Sequence, residues 1–301
     1  MTTDRAALHG HLQKTRDFGL PLVSVTSGNP DQPNGSTLAP QQVPTTPPKE
    51  NDMTLDTSHA RVPMDSVRKA ALVGGALYVI TFATSIPSRI LSGPVRNDPN
   101  YILGPGADGQ VLFAGVLELM LAVACIGTAV ALWPVLKRQN EGVALGFVGS
   151  RTLEAAIIVS GLMCLLSVVS LRQSGAGPDA LATSQALVSA YNWAFLFGPG
   201  FMAGVNALLL GSILYRSRLV PRILPVLGLV GAPLLLASDI AVMFGAWEQF
   251  SVPAGIATVP IFVWELSLGI YLVVKGFKPS PVTAGMVAAS PGSGHSTRVS
   301  L

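Results

Sequence analysis

Apolar positions along the chain gather into six long runs, separated by short polar breaks, between residues 69 and 274. The runs are Lys69–Leu91, Gln110–Leu136, Gly146–Leu171, Ala186–Tyr215, Ile223–Gly245 and Ala254–Val274. Each reaches the roughly 20 mainly apolar residues that a helix needs to cross a bilayer. The pattern therefore predicts an all-α fold, a six-helix transmembrane bundle, with a membrane domain over residues 65–278.

The few polar positions inside these runs are informative because they are expensive. An ionised side chain at the bilayer centre costs about 2.5–3.5 kcal/mol on insertion scales. The third run carries two, Arg151 and Glu154, spaced so that they share a helix face and partly neutralise each other. That helix is predicted to sit against protein rather than lipid. In the second run Gly115, Glu118, Ala122, Cys125 and Ala129 recur at steps of three and four, a small-residue stripe holding one carboxylate. The fourth run has a similar stripe, Gly200, Gly204, Ala207 and Gly211, beside a polar line of Asn192, Pro199 and Asn206. Its Gly198-Pro199-Gly200 step predicts a kink or break. Asp239 in the fifth run and Glu265 in the sixth complete the set. The polar faces are expected to turn to a common interior, with Glu118, Glu154 and Glu265 near the midplane. Arg151 is expected to pair with Glu154 or with a carboxylate from another helix.

Composition agrees with the runs. Charged residues make up 12% of the chain, about half the usual share in soluble domains. The net charge of +3 does not point to nucleic acid, because the basic residues cluster at segment ends rather than in a stripe interleaved with aromatics. They act instead as topology signals. Arg61, Arg68 and Lys69 precede the first run, and Lys137 and Arg138 join the second to the third. Arg216, Arg218 and Arg222 join the fourth to the fifth, and Lys275 and Lys278 follow the sixth. The opposite side offers Arg89, Arg96 and Arg172. Both termini are predicted to be cytoplasmic, in a multi-pass protein of the plasma membrane.

Residues 1–64 and 279–301 read as disordered tails, rich in Pro, Gln, Ser and Gly and poor in large apolar residues. The first lacks the apolar core of a secretory signal. A start at Met53 or Met64 and a genuine N-terminal tail are equally compatible with its composition.

Catalytic signatures do not emerge. His9, His11, His59 and His295 all lie in the tails, which removes Ser–His and zinc chemistry from the spans. Gly106-Ala107-Asp108-Gly109-Gln110 opens a membrane span rather than a strand–helix turn, so it is not a nucleotide loop. Cys125 and Cys164 sit in apolar runs, outside any secreted disulfide framework. No cofactor or metal is expected, and the expected partners are the lipid bilayer, other membrane proteins or further copies of the chain.

Three stretches, Ile126–Ala156, Gly198–Arg222 and Trp264–Phe277, resemble the domain-of-unknown-function 4386 family of bacterial polytopic membrane proteins. The resemblance spans Asp65 to Lys278. It implies a six-helix membrane fold and supplies no catalytic residues.

Two functions fit these observations. In one, Glu118, Arg151, Glu154, Asn206, Asp239 and Glu265 are interhelical hydrogen-bonding groups of a non-catalytic membrane or assembly protein. In the other they surround a midplane site of a small-solute or ion transporter. The first is preferred, because interhelical contact is the commoner use of one polar residue per membrane helix. An intramembrane enzyme is a distant third, since no activated nucleophile is visible.

Overall fold

The computed structural model describes residues 66–279, so the sequence expectations for the two tails fall outside the described residues. Eight α-helices follow in order: α1 Ser66–Leu91, α2 Gly93–Asn97, α3 Asp108–Leu136, α4 Glu141–Gln173, α5 Leu181–Phe195, α6 Ala203–Ser217, α7 Ile223–Met243 and α8 Val252–Val274. No strand occurs among the described residues. Six segments are long and apolar enough to cross a membrane. They are α1, α3, α4, the composite span Pro178–Ser217 that includes α5 and α6, α7, and α8. The fold is thus the expected all-α bundle, and the protein is a multi-pass membrane protein.

Each span packs against its neighbours in sequence, and α8 returns to α1, which closes a ring. Small residues set the close contacts of that ring. Gly75 of α1 lies against α8 so tightly that an added Cβ would come within 2.7 Å of the Gly269 carbonyl oxygen. A Cβ on Gly204 of α6 would meet Leu236 of α7 at 2.8 Å. Without a solvent-driven force between helices in lipid, such approach supplies the packing attraction. The expected stripe of α3 is buried throughout. In α6, Gly204, Ala207 and Gly211 of the expected stripe are buried, and Leu208 is the outward position.

The half of the ring nearer the start of α1 is a continuous apolar core that includes Tyr78, Phe147, Leu210 and Trp264. Arg68 closes its cytoplasm-proximal end in the predicted topology by donating to the Leu272 and Val273 carbonyls at 2.9 and 2.6 Å. A cation there meets the unsatisfied carbonyls and the negative dipole end of α8.

The fourth span does not break at Gly198-Pro199-Gly200. It continues through a π-helical segment, Leu196–Met202. Proline has no N–H and its ring crowds the carbonyl four residues back. Widening the turn by one residue relieves that crowding without ending the helix.

Candidate functional site

Arg151 is the hub of the polar interior. It lies on the buried face of α4 and is 2% exposed. Its Nη1 donates to Glu154 Oε2 at 2.8 Å and approaches Cys125 Sγ at 3.7 Å. Its Nη2 reaches Glu265 Oε1 of α8 at 3.4 Å. Asn206 Nδ2 of α6 donates to the same Glu154 oxygen at 2.7 Å. The guanidinium carbon sits 4.9 Å from the Tyr78 ring centroid, so an aromatic face from α1 also stabilises the cation. One arginine thereby ties together α1, α3, α4 and α8, and through Glu154 also α6. Two donors in this cluster and its neighbourhood have nothing to bond: Arg151 Nε and Ser150 Oγ; the acceptor Asn206 Oδ1 is likewise unpartnered.

A second polar cluster lies near the C-terminal end of α1. Ser88 Oγ is 3.1 Å from Glu118 Oε1 and 3.1 Å from the Ala114 carbonyl oxygen. Tyr191 of α5 donates to the same Glu118 oxygen. Beside them Arg89 lies 4.2 Å from the Phe195 ring centroid and 4.3 Å from that of Phe250. Arg96 of α2 donates through Nη2 to the Arg89 carbonyl oxygen at 2.6 Å. Burial holds the Arg96 guanidinium below its ordinary pKa, although Tyr191 and Glu118 act in the opposite direction.

Between the clusters is a cavity of about 380 Å³, within the 300–1,000 Å³ range typical of small-molecule sites. Arg151, Glu154 and Glu265 line one part of it, Arg89 another, and Leu121, Phe195 and Ile261 stand among its apolar walls. Ile86, Ile90 and Phe262 line it while also being exposed on the outside of the bundle. The mouth therefore lies along the seam between the C-terminal half of α1 and the N-terminal half of α8, where the Phe82 and Phe262 rings meet edge to face at 4.9 Å. A smaller pocket of about 30 Å³ beside Glu118 shares Ser85, Arg89 and Phe195 with this cavity.

The profile of one protein family, described as a domain of unknown function (DUF4386), matches residues 73–276. The chain belongs to the DUF4386 family. The matched region runs from the second turn of α1 to just beyond α8 and contains both polar clusters and the cavity. No curated protein and no solved structure gives a match.

Within this DUF4386 chain the six residues named from sequence do not form one site. Arg151, Glu154, Asn206 and Glu265 come together. Glu118 belongs to the second cluster, level with Ser88 in the last turn of α1. Asp239 stands apart from both, packed against Gly200 of the π-helical segment, with its Oδ2 lacking a partner. Among the described residues no group of His, Cys, Asp and Glu is arranged to hold a metal ion.

Sequence reasoning passed over Arg89, which lies in the last turn of its run and reads there as a topology charge. The line Thr81, Ser85, Ser88 and Arg89 on α1, at steps of four, three and one, carried the signal. Tyr78 and Tyr191 gave none, since a tyrosine in an apolar run is ordinary.

Proposed function

We propose that this protein is a small-solute-binding membrane protein of the transporter class, with its solute site in the cavity bounded by Arg151, Glu265 and Arg89. The observation that carries this reading is the cavity itself, which places four charged groups, Arg89, Arg151, Glu154 and Glu265, on an open space inside the ring. A buried charge facing a void costs far more than one facing a partner. Occupation by water and solute offsets that cost. The cavity closes on the apolar inner core and opens at the outer half, the arrangement of a carrier loaded from one side.

Orientation belongs to the same proposal. Both termini are placed on the cytoplasmic side of the plasma membrane, because basic residues are in excess in the loops of that side, and two of the three on the opposite side, Arg96 and Arg172, are engaged within the structure. Arg172 Nε pairs with Asp108 Oδ1 at 3.1 Å, and Arg96 Nε bonds Ser92 Oγ at 3.1 Å. The bilayer is the partner of the exposed apolar faces, and a homo-oligomer is compatible with them.

A structural reading has one observation of its own. Arg151, Glu154 and Asn206 satisfy one another across α4 and α6, as interhelical contacts do. Cysteine accessibility separates the two readings. Ser85→Cys should react with the small, membrane-permeant reagent methyl methanethiosulfonate, and Ala207→Cys, at a position 1% exposed, should not. Equal inertness of both would leave the polar groups as structural contacts and remove the solute site.

A further inference from the structure

The outer end of the cavity holds a cation whose N–H groups are unspent. Arg89 Nη1 and Nη2 are both buried without a hydrogen bond of normal geometry; the Tyr191 hydroxyl, whose proton goes to Glu118, acts on the guanidinium from beside it. Phe195 and Phe250 lie near the guanidinium carbon at 4.2 and 4.3 Å, and Tyr191 at 5.8 Å. Aromatic rings attract the charge but do not replace acceptors for the in-plane N–H fork, which matches two oxygens of a carboxylate or phosphate. Glu118 acts electrostatically on Arg89, yet its Oε1 is already engaged by Ser88 and Tyr191. Arg96 adds a second positive charge in the same neighbourhood. Two arginines therefore face one glutamate at this end.

The other end has the reverse balance. Arg151 is matched there against both Glu154 and Glu265. An anion entering the cavity is drawn to Arg89 and repelled from the deeper carboxylates, so its position along the cavity is fixed. The rim is apolar: Ile86, Ile90 and Phe262 line the mouth and are exposed on the outer surface of the ring. A fully polar ion gains nothing from that rim, and an alkyl chain does.

We infer that the cavity takes an anionic amphiphile, whose carboxylate or phosphate forks onto Arg89 and whose apolar chain lies along the α1–α8 seam against Phe82, Ile86 and Phe262. This rests on the cavity being a solute site, as proposed above. The head group could belong to an acidic membrane lipid or to a free amphiphile, two sources with one chemistry.

The test uses the full chain carrying Ser85→Cys, one turn from Arg89, in nanodiscs of phosphatidylcholine. Modification at position 85 by methyl methanethiosulfonate is followed by peptide mass spectrometry. No modification without any addition would refute the solute site itself, a failure distinct from that of the ligand class. Given modification, decanoate should slow it about tenfold, the effect of one charge-assisted contact, and decyltrimethylammonium should not. Arg89→Gln should abolish the decanoate effect, and Arg89→Lys, which keeps the charge in case the first variant folds poorly, should retain part of it. Nanodiscs containing phosphatidylglycerol should slow the reaction without decanoate if the natural ligand is a lipid, and should leave it unchanged if the ligand is a free amphiphile. Either result supports the anionic head group. Protection by inorganic phosphate equal to that by decanoate would overturn the amphiphile, and protection by decyltrimethylammonium, or by decanoate in Arg89→Gln, would overturn the role of Arg89.

Discussion

Arg151 and Glu265, 114 residues apart in the chain, meet at 3.4 Å across the ring, from α4 to α8. The same guanidinium holds Glu154 of its own helix more closely, at 2.8 Å. The two carboxylates differ in setting as well as distance: their side chains are 5% and 14% exposed respectively. Glu154 also accepts from Asn206, whereas Glu265 has the looser bond and faces the cavity. The inner pair behaves as framework and the outer carboxylate as the face shown to a solute.

Different sensitivities to substitution follow from that difference. Arg151→Leu strands Glu154 in a buried site, and breaking a buried pair from one side typically costs about 3–5 kcal/mol. Glu265→Gln keeps a polar group of the same size against Arg151 and is expected to cost about 1 kcal/mol or less. Thermal unfolding of the purified protein in detergent should show a large fall for the first variant and a small one for the second. Equal losses would contradict the division of roles.

Asp239 lies at a position where a charge has no visible compensation, 7% exposed with Oδ2 unpartnered. Replacing an uncompensated buried charge by a neutral isostere removes a desolvation cost. Asp239→Asn is therefore expected to leave the melting temperature unchanged or to raise it. A clear fall would show that the carboxylate has a partner, such as a cation at the π-helical segment.

Close approach between α1 and α8 makes one glycine irreplaceable. Gly75→Ala would push a Cβ to within 2.7 Å of the Gly269 carbonyl oxygen and 2.8 Å of Leu272 Cβ. Overpacking of this kind costs typically about 1–3 kcal/mol. At Gly149, where nothing lies within 4 Å of an added Cβ, alanine should stabilise by up to about 1 kcal/mol through helix propensity. Unfolding midpoints in the same detergent compare the two directly, and a neutral Gly75→Ala would mean that the seam is looser than described.

Much of this architecture is legible in the sequence because spanning a bilayer requires long apolar runs and leaves few ways to arrange them. The Arg151–Glu154 pair is legible too, since spacing along one helix fixes a shared face. Glu265 could be named as polar, but its partner could not, because the register between α4 and α8 depends on packing far apart in sequence. Glu118 could likewise be named as polar, but its partners Ser88 and Tyr191 could not, because they come from two other helices. Arg89 escaped notice because a cation near a helix end normally reaches toward water; here Tyr191, Phe195 and Phe250, from two other segments, enclose it. The cavity is invisible to sequence for the same reason, as it belongs to six segments at once.

Topology can be checked without purification. Reporter fusions at Arg138 and Arg218 are expected to report a cytoplasmic location and one at Asp98 an external one, following the excess of basic residues in the loops after the second and fourth spans. An external signal at Arg138 would invert the proposed orientation and place the cavity mouth in the other leaflet.

The most direct measurement of the central claim is an experimental structure of the full chain in lipid nanodiscs, at a resolution that shows ordered water and small ligands. The solute-site account predicts an open cavity between α1 and α8 containing non-protein density that contacts Arg89. A cavity filled by rotated Phe82, Phe195 or Phe262 side chains, with Arg89 turned to an acceptor of the protein itself, would contradict it.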